Sequence, residues 1–268
     1  MNPKVSVIMC TYNDSQYIGE AIKSVLASSF TDFEFIICDD ASTDDTPEII
    51  KSFKDKRIKY IRNETNLRPA ASRNRCFHEA KGDYIMQLDS DDIALPNRIQ
   101  LQVDYLDNFP DVPFCGGWAR VIDENGEHLR DFFHSENVTL KDIFVSDSYI
   151  NPAVMFRREK ILHVDGYTTG FGRSEDLDLW LKLYASGIEG KNIQDYLIEY
   201  RETKAGLYKS KFKHRVEAYK ILRHWKKKLR LGFKYNVYAF RQIILGLAPK
   251  WFVIRIKRRK AKKFKKGV

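Results

Sequence analysis

In the stretch DYIMQLDSDD, residues 83–92, the apolar run YIMQL passes straight into Asp89, Ser90, Asp91 and Asp92. A short β-prone run that ends abruptly in carboxylates reads as a buried strand whose carboxyl end opens on a polar crevice. The same pattern occurs twice upstream. VSVIMC (5–10) passes into Thr11-Tyr12-Asn13, and FEFIIC (33–38) into Asp39-Asp40. IKYIR (58–62) is a further strand. Between these runs lie segments of helical spacing: IGEAIKSVL (18–26), DTPEIIKSF (45–53) and residues 69–80, which open at Pro69. Strands alternating with helices predict βαβ units and a mostly parallel sheet, and near-continuous apolar strands predict a sheet covered on both faces. The expected class is α/β.

Beyond residue 90 the rhythm changes. Pro96–Phe109 reads as a helix, with Ile99, Val103 and Leu106 on one face. FCGGWARVI and HLRDFF flank the turn DENG (123–126) and predict an antiparallel hairpin. Residues 153–157 read as a strand, EDLDLWLKLYASG (175–187) as a helix stopped by Gly187, and NIQDYLIEYR (192–201) as the last strand. A basic helix follows over 208–230 and an aromatic one over 233–247, broken by Pro249.

With 268 residues and 43% of them hydrophobic, the chain can bury a core, which excludes disorder throughout. No uninterrupted apolar run reaches the ~20 residues that a membrane span needs, and no secretory leader is visible at the N-terminus. The four cysteines form no CxxC pair, so reduced thiols and a cytosolic setting are expected rather than a disulfide frame or a zinc site. Net charge divides sharply. Residues 204–268 carry +22 with Glu217 their one acid, while residues 1–203 carry −12. Such a reversal marks an acidic body and a basic segment that meets something anionic. The expected organisation is a body over 1–203, split near residue 110, and an extension over 204–268.

The chemistry sits where the strands end. Asp and Asn there serve equally as turn formers and caps, but their recurrence at one end of adjacent strands points to a ligand crevice. Asp89-x-Asp91-Asp92 places carboxylates that repel one another within four residues. A hard divalent cation, Mg²⁺ or Mn²⁺, relieves that repulsion and takes one or two carboxylates with waters and phosphate oxygens. No His or Cys spacing suits zinc. Glu175 and Asp176 open a helix, where acids complement the dipole whether or not they do chemistry. Trp180 and Tyr184, four residues apart, fit either a sugar-stacking face or the core, and Asn151-Pro152 either a cleft wall or a turn.

VSVIMCTYN, ICDDASTDDT, NLRPAASRN and GDYIMQLDSDD, in this order, resemble the nucleotide-sugar-binding half of family two glycosyltransferases, which have the GT-A fold. GYTTGFGRSEDLDLWLKL resembles the acceptor-side segment of the same family. The likeness covers residues 4 to about 201. It implies a Rossmann-like, mostly parallel sheet flanked by helices, a smaller antiparallel acceptor portion and a variable C-terminus. By resemblance, Thr11, Tyr12, Asn13, Asp39, Asp40, Arg73, Asp89 and Ser90 hold a nucleotide-sugar donor, and Asp91 the metal on its diphosphate. Asp176 is the implied catalytic base with Glu175 beside it, and Trp180 and Asn151 face the acceptor. Arg68-Pro69-Ala70-Ala71 depart from the family, which often has a glycine there. The implied activity is metal-dependent, inverting transfer, with uridine diphosphate as leaving group, to a growing, lipid-linked surface glycan. The basic, aromatic C-terminal region fits an anionic membrane, which places the enzyme peripherally on the cytoplasmic face of the inner membrane. Two other readings are a nucleic-acid-binding protein using the basic segment, and a nucleotidyltransferase. The first lacks any recognised motif, so no nucleic acid is expected, and the second lacks a Gly-rich phosphate loop after the first strand.

Overall fold

A computed structural model describes residues 2–145, 148–172, 174–203 and 211–247. The expected Pro249 break lies outside them, as do Trp251 and Phe252, which the sequence offers as further apolar contacts for a membrane surface. The first half follows the expected alternation: β1 (Val5–Thr11), α1 (Ile18–Leu26), β2 (Phe33–Asp39), α2 (Thr46–Ser52), β3 (Ile58–Arg62), α3 (Pro69–Glu79) and β4 (Tyr84–Gln87). Then come β5 (Ile93–Ala94), α4 (Arg98–Asn108), and the hairpin of β6 (Phe114–Ile122) and β7 (His128–Phe132). The second half continues with α5 (Leu140–Val145), β8 (Met155–Arg157), α6 (Arg158–His163), α7 (Glu175–Ala185) and β9 (Lys191–Arg201). Two helices close the described chain, α8 (Lys211–Lys228) and α9 (Lys234–Leu247).

The nine strands among the described residues belong to one sheet of order β3-β2-β1-β4-β8-β6-β9-β5, with β7 paired to β6. The first four neighbours are parallel, as expected for βαβ crossovers. At β8 the direction reverses, because β8 runs antiparallel to both β4 and β6. Strand β9 then pairs parallel with β6 over Cys115–Ile122, and antiparallel with the two-residue β5.

The pleat sorts the core into two layers. Val5, Val7 and Met9 of β1 pack with α1 and α4, while Ile8 packs with α3 and α7 on the other face. Both faces are covered, which is why these strands show no polar alternation. Gly82 leads into β4 where a Cβ would stand 2.5 Å from the Ser6 nitrogen, so only glycine lets this connection reach the sheet.

Helix α8 is more than a charged appendage. Ile221, Leu222 and Trp225 are buried in the same apolar layer as Phe114 and Trp180, together with Ala239 of α9. The Trp225 indole donates to Asp178 Oδ1 at 2.7 Å, and the Gly172 N–H donates to Glu217 of α8.

Candidate active site

The carboxyl ends of β1, β2 and β4 meet at one edge of the sheet, and hydrogen bonds between their loops fix the floor. Asp40 N–H donates to the Thr11 carbonyl at 2.9 Å, and Thr43 N–H to Asn13 Oδ1 at 2.7 Å. Asn13 holds φ +53°, a left-handed conformation that asparagine tolerates well, and its N–H donates to Ser42 Oγ. Thr11 is buried with its hydroxyl unpartnered, and the Tyr12 ring stands exposed.

Asp39 is fully buried. Its Oδ1 accepts from Ser42 N–H at 2.8 Å, and its Oδ2 accepts from the Tyr60 hydroxyl at 2.9 Å with Arg62 at 3.4 Å. Asp40 accepts from Asn63 Nδ2, Leu67 N–H and Arg68 N–H, each within 2.8 Å. It thereby pins the backbone at Arg68, which has φ +73°. That is the left-handed region a glycine enters without strain, and it falls in the tetrapeptide that departs from the family pattern.

Arg73, projecting from α3, joins the two halves of the site. Its Nη2 donates to Asp89 Oδ1 at 2.9 Å and its Nη1 to Glu175 Oε1 at 3.0 Å. The guanidinium also lies over the Tyr167 ring, 5.4 Å from the centroid. Burial alone would lower the Arg73 pKa, but the charges of Asp89, Tyr167 and Glu175 outweigh it and hold the group well above its usual range. Asp89 and Glu175, far apart in sequence, thus share one buried cation.

Around it the acids sort by environment. Asp91 is pushed up to about 7, first by burial and then by the charges of Asp89 and Asp14. Ser90 donates its hydroxyl to Asp14 Oδ2, tying the β1 loop to this turn. Asp92 turns inward, where Oδ1 accepts the Arg201 N–H at 2.8 Å and Oδ2 has no partner. Burial drives its pKa well up, and Asp91 and Asp89 add to the shift. Arg201 also donates through Nε to the Asp91 carbonyl at 2.9 Å, so the end of β9 locks the acidic turn. Among the described residues no three His, Cys, Asp or Glu side chains form a ready metal cage. The site instead offers Asp91, pushed up by its acidic neighbours, beside Asp89, which Arg73 holds in place. This donor set fits Mg²⁺ or Mn²⁺, which keep waters and take phosphate oxygens for the remaining positions.

Three acids open α7, and they point three ways. Glu175 faces Arg73, with its second oxygen buried and unpartnered, and Asp178 faces Trp225. Asp176 stays half-buried at the helix N-terminus, where Oδ1 accepts from the Leu177 N–H at 2.7 Å. A carboxylate at this position complements the helix dipole.

Two expected acceptor contacts read differently in the structure. Trp180 is a core residue, only 3% exposed and enclosed by Phe114, Tyr149 and Phe156, so it presents no open ring face to a sugar. Its place on α7 points it at the sheet rather than the crevice. Asn151 does reach the site region, but its Oδ1 lies 2.8 Å from the Tyr167 hydroxyl, whose single proton it shares with Gln87 Oε1 at 2.9 Å. It supports the floor under Arg73. Sequence reasoning passed over Tyr167, Asp14 and Arg201, although Tyr167 lies inside GYTTGFGRSED and Asp14 directly follows Thr11-Tyr12-Asn13.

The family model for glycosyl transferase family 2 matches residues 6–174. An uncharacterized glycosyltransferase of Methanocaldococcus jannaschii is 36% identical over 262 residues, covering 94% of this chain and 89% of its own. An Escherichia coli UDP-Glc:alpha-D-GlcNAc-diphosphoundecaprenol beta-1,3-glucosyltransferase is 28% identical, covering 95% of this chain and 98% of its own. In fold, the chain is similar to residues 1–349 of S. aureus TarS, solved with UDP-GlcNAc, with TM-score 0.69 and 22% identity over 91% of this chain and 71% of that one. The matched span runs from β1 to the residue before Glu175 and takes in the strand ends and Arg73. This chain therefore belongs to glycosyl transferase family 2 and is a glycosyltransferase of GT-A fold.

Proposed function

We propose that the enzyme transfers a sugar from a nucleoside diphosphate, uridine diphosphate foremost, to a hydroxyl of a polyprenol-linked glycan, with inversion at the anomeric carbon. The observation that carries this reading is the Arg73 bridge, which sets the donor-side Asp89 and the acceptor-side Glu175 on one guanidinium. The E. coli relative, whose name specifies a diphosphoundecaprenol-linked acceptor, supports the substrate class.

Each residue then has a role. Thr11, Tyr12 and Asn13 line the nucleoside end, Asp39 fixes the Ser42 turn and Tyr60 beneath it, and Asp40 holds the loop above it through the Leu67 and Arg68 amides. Ser90 positions Asp14 beside the acidic turn. Asp91, with Asp89 adjacent, would hold Mn²⁺ or Mg²⁺, which when bound supplies Lewis-acid neutralisation of the leaving diphosphate. Glu175 is clamped by Arg73 and keeps its orientation. Asp176 then accepts the proton of the attacking hydroxyl, a contribution of roughly 10²–10⁴ in rate. Attack from the α7 side, opposite the leaving group, inverts the centre. The catalytic body spans 1–203, and the C-terminal region meets the cytoplasmic face of an anionic membrane, where lipid-linked acceptors are presented.

The test is a donor screen by mass spectrometry, with polyprenol-diphosphate-linked mono- and disaccharides as acceptors and Mn²⁺, Mg²⁺ or chelator present. A product heavier by one sugar is expected with one donor and a divalent cation. Asp176→Asn should lower kcat about 100-fold or more while leaving donor binding intact. Full turnover by that variant would move the base elsewhere, and full turnover in chelator would remove the cation.

A further inference from the structure

Helix α9 carries an apolar stripe that the fold does not use. Phe233 just before the helix is 80% exposed and Leu247 at its end 71%, with Val237, Phe240 and Ile244 also exposed between them. These positions are spaced four, three, four and three residues apart. At 100° per residue they fall within a band of about 80°. The opposite face does the packing. Ala239 is fully buried, Tyr235 meets Phe144, and a Cβ at Gly246 would meet Phe212 and Arg215 of α8. The stripe is therefore a second face, not a poorly packed core.

Charge names the occupant. Beside the first turn of α9 is a hollow lined by Arg223, Lys226, Lys227, Arg230, Leu231 and Asn236. Among the described residues, none of its four cations has an ion-pair partner. Helix α9 has no acidic residue, and the single acid of α8, Glu217, accepts from the Gly172 N–H. A second copy docked stripe to stripe would bring two basic α8–α9 pairs together, which like-charge repulsion opposes. An anionic bilayer surface offers both an apolar interior for the stripe and phosphates for the hollow.

We propose that α9 lies flat on an anionic lipid surface, with Phe233, Val237, Phe240, Ile244 and Leu247 buried among the acyl chains and the α8 cations on headgroup phosphates. Fourteen helical residues extend about 21 Å, too short to span the ~30 Å hydrocarbon core. No helix among the described residues is long and apolar enough to cross a membrane. The orientation has a functional consequence. Through Trp225 and Glu217, α8 is fastened to α7 and to the segment before it, so the lipid-facing helix pair is braced against the elements that carry Glu175 and Asp176. This inference names the surface for the membrane contact proposed above and rests on that reading. Vesicle binding reads it without any sugar transfer, so the failure of either is visible separately.

The experiment compares the full chain with Phe233→Ser/Phe240→Ser, both on the exposed face, in co-sedimentation with vesicles of phosphatidylcholine alone or with phosphatidylglycerol. The full chain should pellet only with the anionic vesicles, and the variant should bind about tenfold or more weakly at an unchanged melting temperature. Hydrogen exchange should show amides 233–247 protected only when anionic vesicles are present. Undiminished binding by the variant, or unchanged exchange in α9, would overturn the proposal in favour of residues 248–268. A wild-type dimer that the variant disperses would assign the stripe to a second copy and overturn it too.

Discussion

Arg73 is the residue on which the two halves of the site depend. Removing its charge leaves Glu175 and Asp89 facing each other with no cation between them, and Glu175 is only 8% exposed. Arg73→Met should therefore destabilise by about 3–5 kcal/mol, the usual cost of breaking a buried pair from one side. Adding Glu175→Gln should recover a substantial part, since it removes one of the stranded charges. A double-mutant cycle by urea unfolding measures this coupling, and strictly additive losses would deny the bridge. Asp91 makes a second residue-level prediction, whose sign follows from its raised pKa of about 7. Between pH ~4 and ~7 the unfolded carboxylate is ionised while the folded one resists ionisation, so this group's contribution to stability is lost as pH rises through that window. In chelator, wild type should lose stability relative to Asp91→Asn over that range, by on the order of 2 kcal/mol after screening. Mn²⁺ should restore wild type and not the variant. Parallel pH profiles for the two proteins would show that Asp91 is not the strained carboxylate.

At the scale of elements, α7 and α8 behave as a braced pair, and Trp225 is the brace. Trp225→Phe keeps most of the ring volume but removes the donor to Asp178, whose other oxygen is already buried without a partner. A loss of about 1–3 kcal/mol is expected, the cost of leaving a buried carboxylate unsatisfied. Thermal unfolding checks it, and a melting temperature within a degree of wild type would show that the Trp225–Asp178 bond does not hold α8 in place. This brace also marks the limit of sequence reading. The strands β1 to β4 were legible because a sheet covered on both faces produces apolar runs, and the long helices because 3.6-residue spacing persists over several turns. Neither signal exists for β5, with two residues, or for α5 and α6, with six each, so those elements went unpredicted. The placement of β9 between β6 and β5 depends on pairings 76 to 106 residues apart, which no local window reports. In the site, polar residues at strand ends were readable as a group. The directions of Glu175, Asp176 and Asp178 were not, because one helical turn fans adjacent residues toward three different neighbours. Trp180 was misassigned for the same reason: spacing identifies a helix face but not what that face meets.

Over the whole molecule, charge is divided so that a body of −12 is joined to a C-terminal region of +22. If the donor is the nucleoside diphosphate proposed above, a crevice of acids does not attract it by net charge, and the guanidinium groups of Arg62 and Arg68 near the strand ends would do so at short range. On the proposed function the basic region acts at long range and on a different partner, an anionic surface. Fields between exposed charges decay over ~10 Å at 0.1 M salt, whereas contacts inside a partly buried crevice are screened much less. Ionic strength should therefore separate the two functions. Transfer to a lipid-linked acceptor carried in anionic vesicles should fall at least tenfold between about 50 and 500 mM salt, because docking through the α8 cations is lost. Transfer to a soluble, short-chain analogue of the same acceptor should change by no more than about twofold, since the crevice itself is little affected. Measuring both with one enzyme preparation isolates the contribution of the surface. If the two rates fall in parallel, salt is acting on the donor site, and the separation of charge along this chain has no part in delivering it to its acceptor.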